Sequence, residues 1–282
     1  MSLAPPPSEA AKGAKPVARW PAPRIARHAI LLIALLCLAD GLLLEPYALV
    51  VTRHDATGGK GAKVKIAHLS DLHTKGQGRL ELAVLEVLER EKPDVIVISG
   101  DTVDAVESYV PAATVLAQMH APLGVYMVNG NWENWRPAKD GRGYVAASKA
   151  KLLLNESVEL RPGLWLAGFD DASSGTPSIQ RAMRNVPADS FVIGLFHSPD
   201  FFERLPDRIR LAFAGHTHGG QVRLPFLGAL WRPPGSGRYD NGWYTHDHAR
   251  MYVSRGIGTS ILPVRFRCAP ELAIVTLYPE TL

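Results

Sequence analysis

The sequence predicts a layered α/β domain preceded by one apolar helix, and three observations predict it. Short apolar runs of four to six residues, such as Val64–Leu69 and Val95–Ile98, have the length and composition of buried strands. Between them lie stretches of helical spacing, and alternating strands and helices argue for stacked α/β layers. Near the N-terminus, Ala29 to Ala39 are eleven uninterrupted apolar residues.

In chain order, residues 1–24 carry six prolines among Ala, Lys and Arg. Such a stretch buries too little apolar surface to offset its ordering entropy, so a disordered basic leader is expected. The apolar run continues through Asp40 and Gly41 to Leu44, about 16 residues with one acid, against the roughly 20 that span a bilayer comfortably. Three readings compete for residues 25–46: a membrane anchor with Asp40 near the interface, a signal peptide lacking a small-x-small cleavage site, and a buried or interfacial helix. Basic residues before the run favour an outward-facing domain, a bias blurred by Arg53, Lys60, Lys63 and Lys65 beyond it.

From Tyr47 to the C-terminus the pattern is that of one soluble domain. Tyr47–Thr52 predicts a strand and Gly58–Gly61 a turn. Leu82, Leu85 and Leu88 predict a helix that Pro93 ends, and a second helix is expected over Tyr109 to Met119. After Gly219 the chain reads as a Gly/Pro-rich loop followed by strands Met251–Ser254 and Leu272–Leu277.

Of 282 residues, 46% are hydrophobic and 21% charged, enough for a sizeable core. The net charge of +4 invites a nucleic-acid reading, but five basic residues and one acid lie within residues 1–28. The remainder is formally neutral, which removes the main support for nucleic-acid binding. Cys37, in the apolar run, and Cys268, in a strand-like stretch, read as small buried hydrophobes with no disulfide framework.

The chemistry gathers at five strand ends. Val64–Leu69 gives way to Ser70-Asp71-Leu72-His73, Val95–Ile98 to Ser99-Gly100-Asp101, Val125–Val128 to Asn129-Gly130-Asn131, Phe191–Phe196 to His197, and Leu211–Ala214 to Gly215-His216-Thr217-His218. Ligands of α/β sheets collect beyond the carboxyl ends of strands, so seven donors could meet: Asp71, His73, Asp101, Asn131, His197, His216 and His218. The set lacks thiolate, which disfavours a structural zinc cage, and mixed imidazole and carboxylate suit Mn, Fe, Zn or Co. Seven donors exceed one ion's needs and fit two ions sharing a carboxylate. Gly100, Gly130 and Gly215 each precede a donor, where the backbone must come close. Two such ions clamp a phosphoryl group and lower the pKa of a water between them.

These motifs, with Gly130-Asn131-x-Glu133 and the spelling Gly215-His-Thr-His-Gly-Gly-Gln221, resemble the metallophosphoesterases of calcineurin-like fold, in particular their bacterial, often membrane-associated branch. The resemblance covers about Val64 to Leu277. It implies a four-layer αββα sandwich, with Asp71, His73 and His218 on one ion, Asn131, His197 and His216 on the other, and Asp101 bridging. Asp101, Asn131 and His216 are then the expected catalytic residues. The substrate is expected to be a phosphorylated small molecule or a lipid-linked phosphodiester or pyrophosphate, and the partner surface a membrane. Hydrolysis of UDP-diacylglucosamine, known within that branch, needs a cytoplasmic-facing site, so the charge bias brings a cell-envelope phosphodiesterase nearer.

One departure matters. The family pattern has a histidine, thought to protonate the leaving group, where this chain has Trp132. General acid catalysis is worth about 10²–10⁴-fold, so its loss matters most for basic alkoxide leaving groups. A substrate with a good leaving group is one reading; another is that Glu133 or a distant histidine supplies the proton. A metal-binding scaffold without activity is the alternative from another class, with Trp132 its one support. The cluster Trp132, Trp135 and Arg136 reads either as the border of a substrate groove, Trp132 and Arg136 binding substrate and Arg136 pairing with phosphate, or as surface packing. His246 and His248 read as exposed loop residues, and His68 as a satisfied histidine inside a strand.

Overall fold

The computed structural model describes residues 22–56, 61–138 and 143–279. Most of the basic leader and most of the Gly58–Gly61 turn therefore lie outside the described residues. The chain divides into two units, 1–38 and 39–282. The first contains helix α1 (Ala22–Ala39), whose Ile and Leu side chains are exposed along its length. The helical segment Arg24–Tyr47, 24 residues, is long and apolar enough to cross a membrane.

In the second unit the elements run β1 (Val50–Asp55), β2 (Val64–Leu69), α2 (Arg79–Glu91), β3 (Val95–Ile98), α3 (Tyr109–Leu116), β4 (Val125–Met127), α4 (Asn131–Trp135), α5 (Gly143–Ser148), β5 (Lys151–Leu152), β6 (Glu156–Arg161) and β7 (Leu164–Gly168). They continue as α6 (Ile179–Ala182), β8 (Phe191–Leu195), β9 (Ile209–Ala214), β10 (Arg223–Leu224), β11 (Gly228–Ala229), β12 (Gly242–His246), β13 (Ala249–Val253) and β14 (Glu271–Leu277). One sheet has the order β1-β14-β2-β3-β4-β5 and the other β12-β13-β9-β8-β7-β6. The pairs β2/β3, β3/β4 and β8/β9 are parallel, so the five donor-bearing strands end on the same side of their sheets.

Side-chain alternation separates the layers. Val64 and Ile66 of β2 join Leu211 and Phe213 of β9 between the sheets. Ala67 and Leu69 point the other way, onto Val84 and Val87 of α2 and Leu116 of α3. Ile209 and Ala212 pack outward with Ala182 of α6 and Phe201. Strands buried on both faces read as continuous apolar runs, which is why they were legible. The result is a four-layer αββα sandwich.

The expected strand at Tyr47 begins later. Pro46 starts a 3₁₀ turn over Glu45–Tyr47, and β1 then pairs in parallel with β14, Val50 opposite Glu271 through Asp55 opposite Thr276. Helix α3 stops at Leu116, short of Met119. Strand β12, at a sheet edge, has no apolar run and was read as loop; it carries half-buried His246, while His248 is exposed. Cys37 is only half-buried, and Cys268 is buried outside any strand; both are free.

Arg265, fully buried, organises the loop before β14. Its guanidinium donates to the carbonyls of Arg255, Gly256, Gly258 and Cys268, and its backbone N–H to Gly41 O at 2.9 Å. Arg265→Ala would leave the carbonyls of Arg255, Gly258 and Cys268 without this donor, while Gly256 O keeps the Glu271 N–H, at about 1–3 kcal/mol for each group left unsatisfied. A drop of about 3 kcal/mol or more in urea-unfolding stability is expected; a change below about 0.5 kcal/mol, the range of ordinary surface substitutions, would contradict it.

Candidate metal centre

All seven predicted donors come together, each 7% exposed or less. Five of them, Asp71, His73, Asp101, His216 and His218, have φ between 43° and 71°. Left-handed backbone is uncommon for such residues and costs of order 1–3 kcal/mol each where it occurs at functional sites. It is held here by loop-to-loop hydrogen bonds: Asp71 N–H to Gly100 O, His73 N–H to Asp101 O and Gly215 N–H to His197 O, at 3.0–3.1 Å. The glycines before the donors are needed for close approach. A Cβ on Gly130 would collide with the Asp101 carboxylate, and one on Gly215 with the Ser70 hydroxyl.

Two triads form, Asp71–His73–His218 and Asp101–His197–His216, each with ligand atoms within 4.8 Å of one another. In the first, His218 Nε2 lies 3.2 Å from His73 Nε2 and 3.3 Å from Asp71 Oδ1. In the second, His197 Nε2 lies 3.2 Å from Asp101 Oδ2, 3.1 Å from Asn131 Oδ1 and 3.0 Å from His216 Nδ1. Asp101 Oδ2 is also 3.8 Å from His73 Nε2, so one carboxylate oxygen faces both triads. Its other oxygen accepts the Trp132 N–H at 2.9 Å.

The tautomers suit cation binding. His216 Nε2 must donate to Pro234 O at 2.7 Å and His197 Nδ1 to Ser99 O at 2.7 Å, since a carbonyl only accepts. The remaining nitrogen of each faces the centre, the outer-shell arrangement that orients metal-ligating histidines. Burial opposes charge on His197, but Asp101, Asp71 and Asp171 outweigh it and hold the ring well above its usual range. The spot favours positive charge, as a proton or as an ion. Burial lowers His73, His216 (to about 4) and His218, which keeps them neutral and able to coordinate. Burial, with Asp101 nearby, raises Asp71 to about 6; His197 outweighs burial at Asp101 and holds it low. The donors therefore fit two divalent ions.

Glu133 faces the Asp101 loop and is engaged by backbone donors. Its two oxygens accept the N–H groups of Gly130, Asp101, Thr102 and Val103, at 2.6–3.2 Å, clamping the Asp101 loop onto the start of α4. Burial, then Asp101, pushes its carboxyl up to about 7 while those four donors hold it in place. A glutamate three residues after a helix-capping glycine was the signal for this role. His68 is buried with Nε2 2.8 Å from Ser99 Oγ, but its Nδ1 has no partner, so it is only half satisfied. Buried Asp171, missed in the sequence, accepts from the hydroxyls of Ser173, Ser174 and Ser198 beside His197.

A cavity of about 230 Å³ opens over the centre, lined by Asp101, Asn131, His216 and His218 and walled by Trp132, Trp135, Trp231, Pro233, Pro234 and Ile261. Trp132 meets His73 edge-on at 5.8 Å. Arg136 is not part of the lining. Its guanidinium stacks 4.6 Å over the Trp132 ring and donates to Asp104 O.

The calcineurin-like phosphoesterase family model matches residues 64–220, more than half of the chain and every one of the seven donors. The chain belongs to this family. The phosphoesterase is 31% identical over 259 residues to the uncharacterized metallophosphoesterase YkuE of Bacillus subtilis, covering 83% of this chain and 87% of that protein. It is 29% identical to the phosphodiesterase YaeI of Escherichia coli, covering 77% and 83% respectively. A zebrafish transmembrane protein with a metallophosphoesterase domain is 29% identical, covering 76% of this chain and 53% of that one. The phosphoesterase is thus a metal-dependent hydrolase using two divalent ions.

Proposed function

We propose that this hydrolase cleaves a phosphodiester or pyrophosphate bond in a lipid-linked or nucleotide-linked substrate with a good leaving group, working from a membrane anchor. The observation that carries the two-ion reading is Asp101 Oδ2, which faces both triads. Asp71, His73 and His218 would hold one ion, Asn131, His197 and His216 the other, and Asp101 both. When bound, such a pair supplies positive charge to phosphoryl oxygens and a water acidic enough to attack phosphorus near neutral pH.

The leaving-group reading rests on the cavity lining. Its ionisable members are Asp101, His216 and His218, all of them metal donors, and Trp132 has no proton to give at neutral pH. A leaving alkoxide would find no acid there, whereas a leaving phosphate or aryl oxide needs none. The helical segment Arg24–Tyr47 and the likeness to the zebrafish transmembrane protein support the anchor. Basic residues before the segment favour an outward-facing domain. The inactive scaffold is disfavoured because all seven donors are present and gathered at one place.

The test is hydrolysis by the full chain in detergent, loaded with Mn²⁺, on aryl and alkyl phosphodiesters. Chelation should abolish turnover, and the aryl ester should be strongly preferred. Turnover that survives chelation, or equal rates on both esters, would overturn the reading. The carboxyl of Asp71, raised to about 6, competes for protons. Ions bind the deprotonated forms of Asp71 and of His197, whose ring is held above its usual range, so metal affinity should fall steeply below pH 6 and keep rising with pH above it. Calorimetric titration from pH 5 to 8 checks this; affinity flat across that window would contradict the assignment of Asp71.

A further inference from the structure

We infer that the hairpin β10–β11 and the loop before β14 form one membrane-docking face at the mouth of the cavity, fitted to an anionic phospholipid surface. Phe226 is fully exposed, Ile261 79% and Leu227 73%, with Leu262 and Trp231 near 60%. Apolar side chains this exposed and this close in structure mark an interaction surface. Hydrogen bonds join the two segments: Arg223 N–H to Phe266 O, Phe266 N–H to Gln221 O, and Ser260 N–H to Gln221 Oε1. Trp231 from one segment and Ile261 from the other also line the cavity.

The occupant is argued from continuity and charge. Exposed Leu43 and Leu44 are the last residues of the apolar run, and the chain beside them is pinned to this same loop. Arg265 N–H donates to Gly41 O, and the Arg267 and Cys268 N–H groups donate to the Glu45 carboxylate. The residues that directly follow the apolar helix, Gly41 to Glu45, are thus held at this face. Arg232 and Arg267 are exposed on these segments, whereas Arg223 and Arg238 pair with Asp240 and Glu203 and Arg265 is buried. Exposed Trp and Leu flanked by Arg is the composition of a segment lying in an anionic interface. Docked this way, the cavity mouth opens at the depth of lipid headgroups. The lipid-borne substrate and the membrane anchor rest on the proposed function.

The test places an environment-sensitive fluorophore at Phe226→Cys in a full-length Cys37→Ala chain, reconstituted in phosphatidylglycerol-rich vesicles. Glu86→Cys on α2 is the reference position. Blue-shifted emission, quenched by nitroxide lipids at position 226 and not at 86, is expected. Water-like, unquenched emission at 226 would overturn the docking face, as would burial at 226 that persists in detergent with a dimer, which would assign the face to a second copy. These readouts need no turnover, so they stand or fall apart from the proposed reaction. The double variant Phe226→Asp/Leu227→Asp should keep its rate on a soluble aryl phosphodiester and lose about tenfold or more on a vesicle-embedded phosphodiester lipid. Equal rates of variant and parent on both would also overturn it.

Discussion

Asp101→Asn should cost at least about 10²-fold in hydrolysis of an aryl phosphodiester, the upper range for losing even an outer-shell partner of a metal site. Asparagine is isosteric and its Oδ1 can still accept the Trp132 N–H that the carboxylate accepts at 2.9 Å, so the loop has no reason to unfold. The loss falls on Oδ2, the oxygen 3.2 Å from His197 Nε2 and 3.8 Å from His73 Nε2. A neutral amide there cannot offset the charge of two neighbouring ions. Metal analysis should accordingly find fewer than two ions per chain at concentrations that saturate the parent. A variant that retains two ions and the parental rate would remove Asp101 from the centre.

Trp132→His should raise turnover of an alkyl phosphodiester by about 10²-fold, at the lower end of what a positioned acid contributes, and leave the aryl ester within a few-fold. The Trp132 ring sits edge-on to His73 and lines the cavity, while its backbone N–H is fixed to Asp101. A histidine at that backbone position would bring a titratable ring to the same wall. Because an aryl oxide leaves without a proton, the two substrates separate acid catalysis from any general change in the site. Gains of equal size on both esters would show that cavity volume, not proton donation, was altered.

Much of the fold and nearly all of the centre were legible before any coordinates. Val64–Leu69 and Val95–Ile98 were read at their observed boundaries because strands buried on both faces are written as unbroken apolar runs. The seven donors were legible because each lies within four residues of the end of such a run, so strand direction brings them to one end. Strand β12 was missed because an edge strand carries no such run, and β1 was placed early because Pro46 diverts the chain into a 3₁₀ turn. Arg136, which its sequence context left between a phosphate partner and surface packing, stacks on the Trp132 ring and donates to Asp104 O.

The sequence by itself therefore determined the layers, the donor set and the apolar segment, all of which depend on patterns within about ten residues. Tertiary structure alone decided what supports them. It set Glu133 under the Asp101 loop, Pro234 O behind His216, and buried Arg265 against four carbonyls and Gly41. It also gathered Phe226, Trp231 and Ile261 beside one cavity. These partners lie 18 to more than 200 residues apart, or meet only through loop conformation. No local periodicity encodes such pairings; they follow from which strands neighbour one another once both sheets have closed over a shared core.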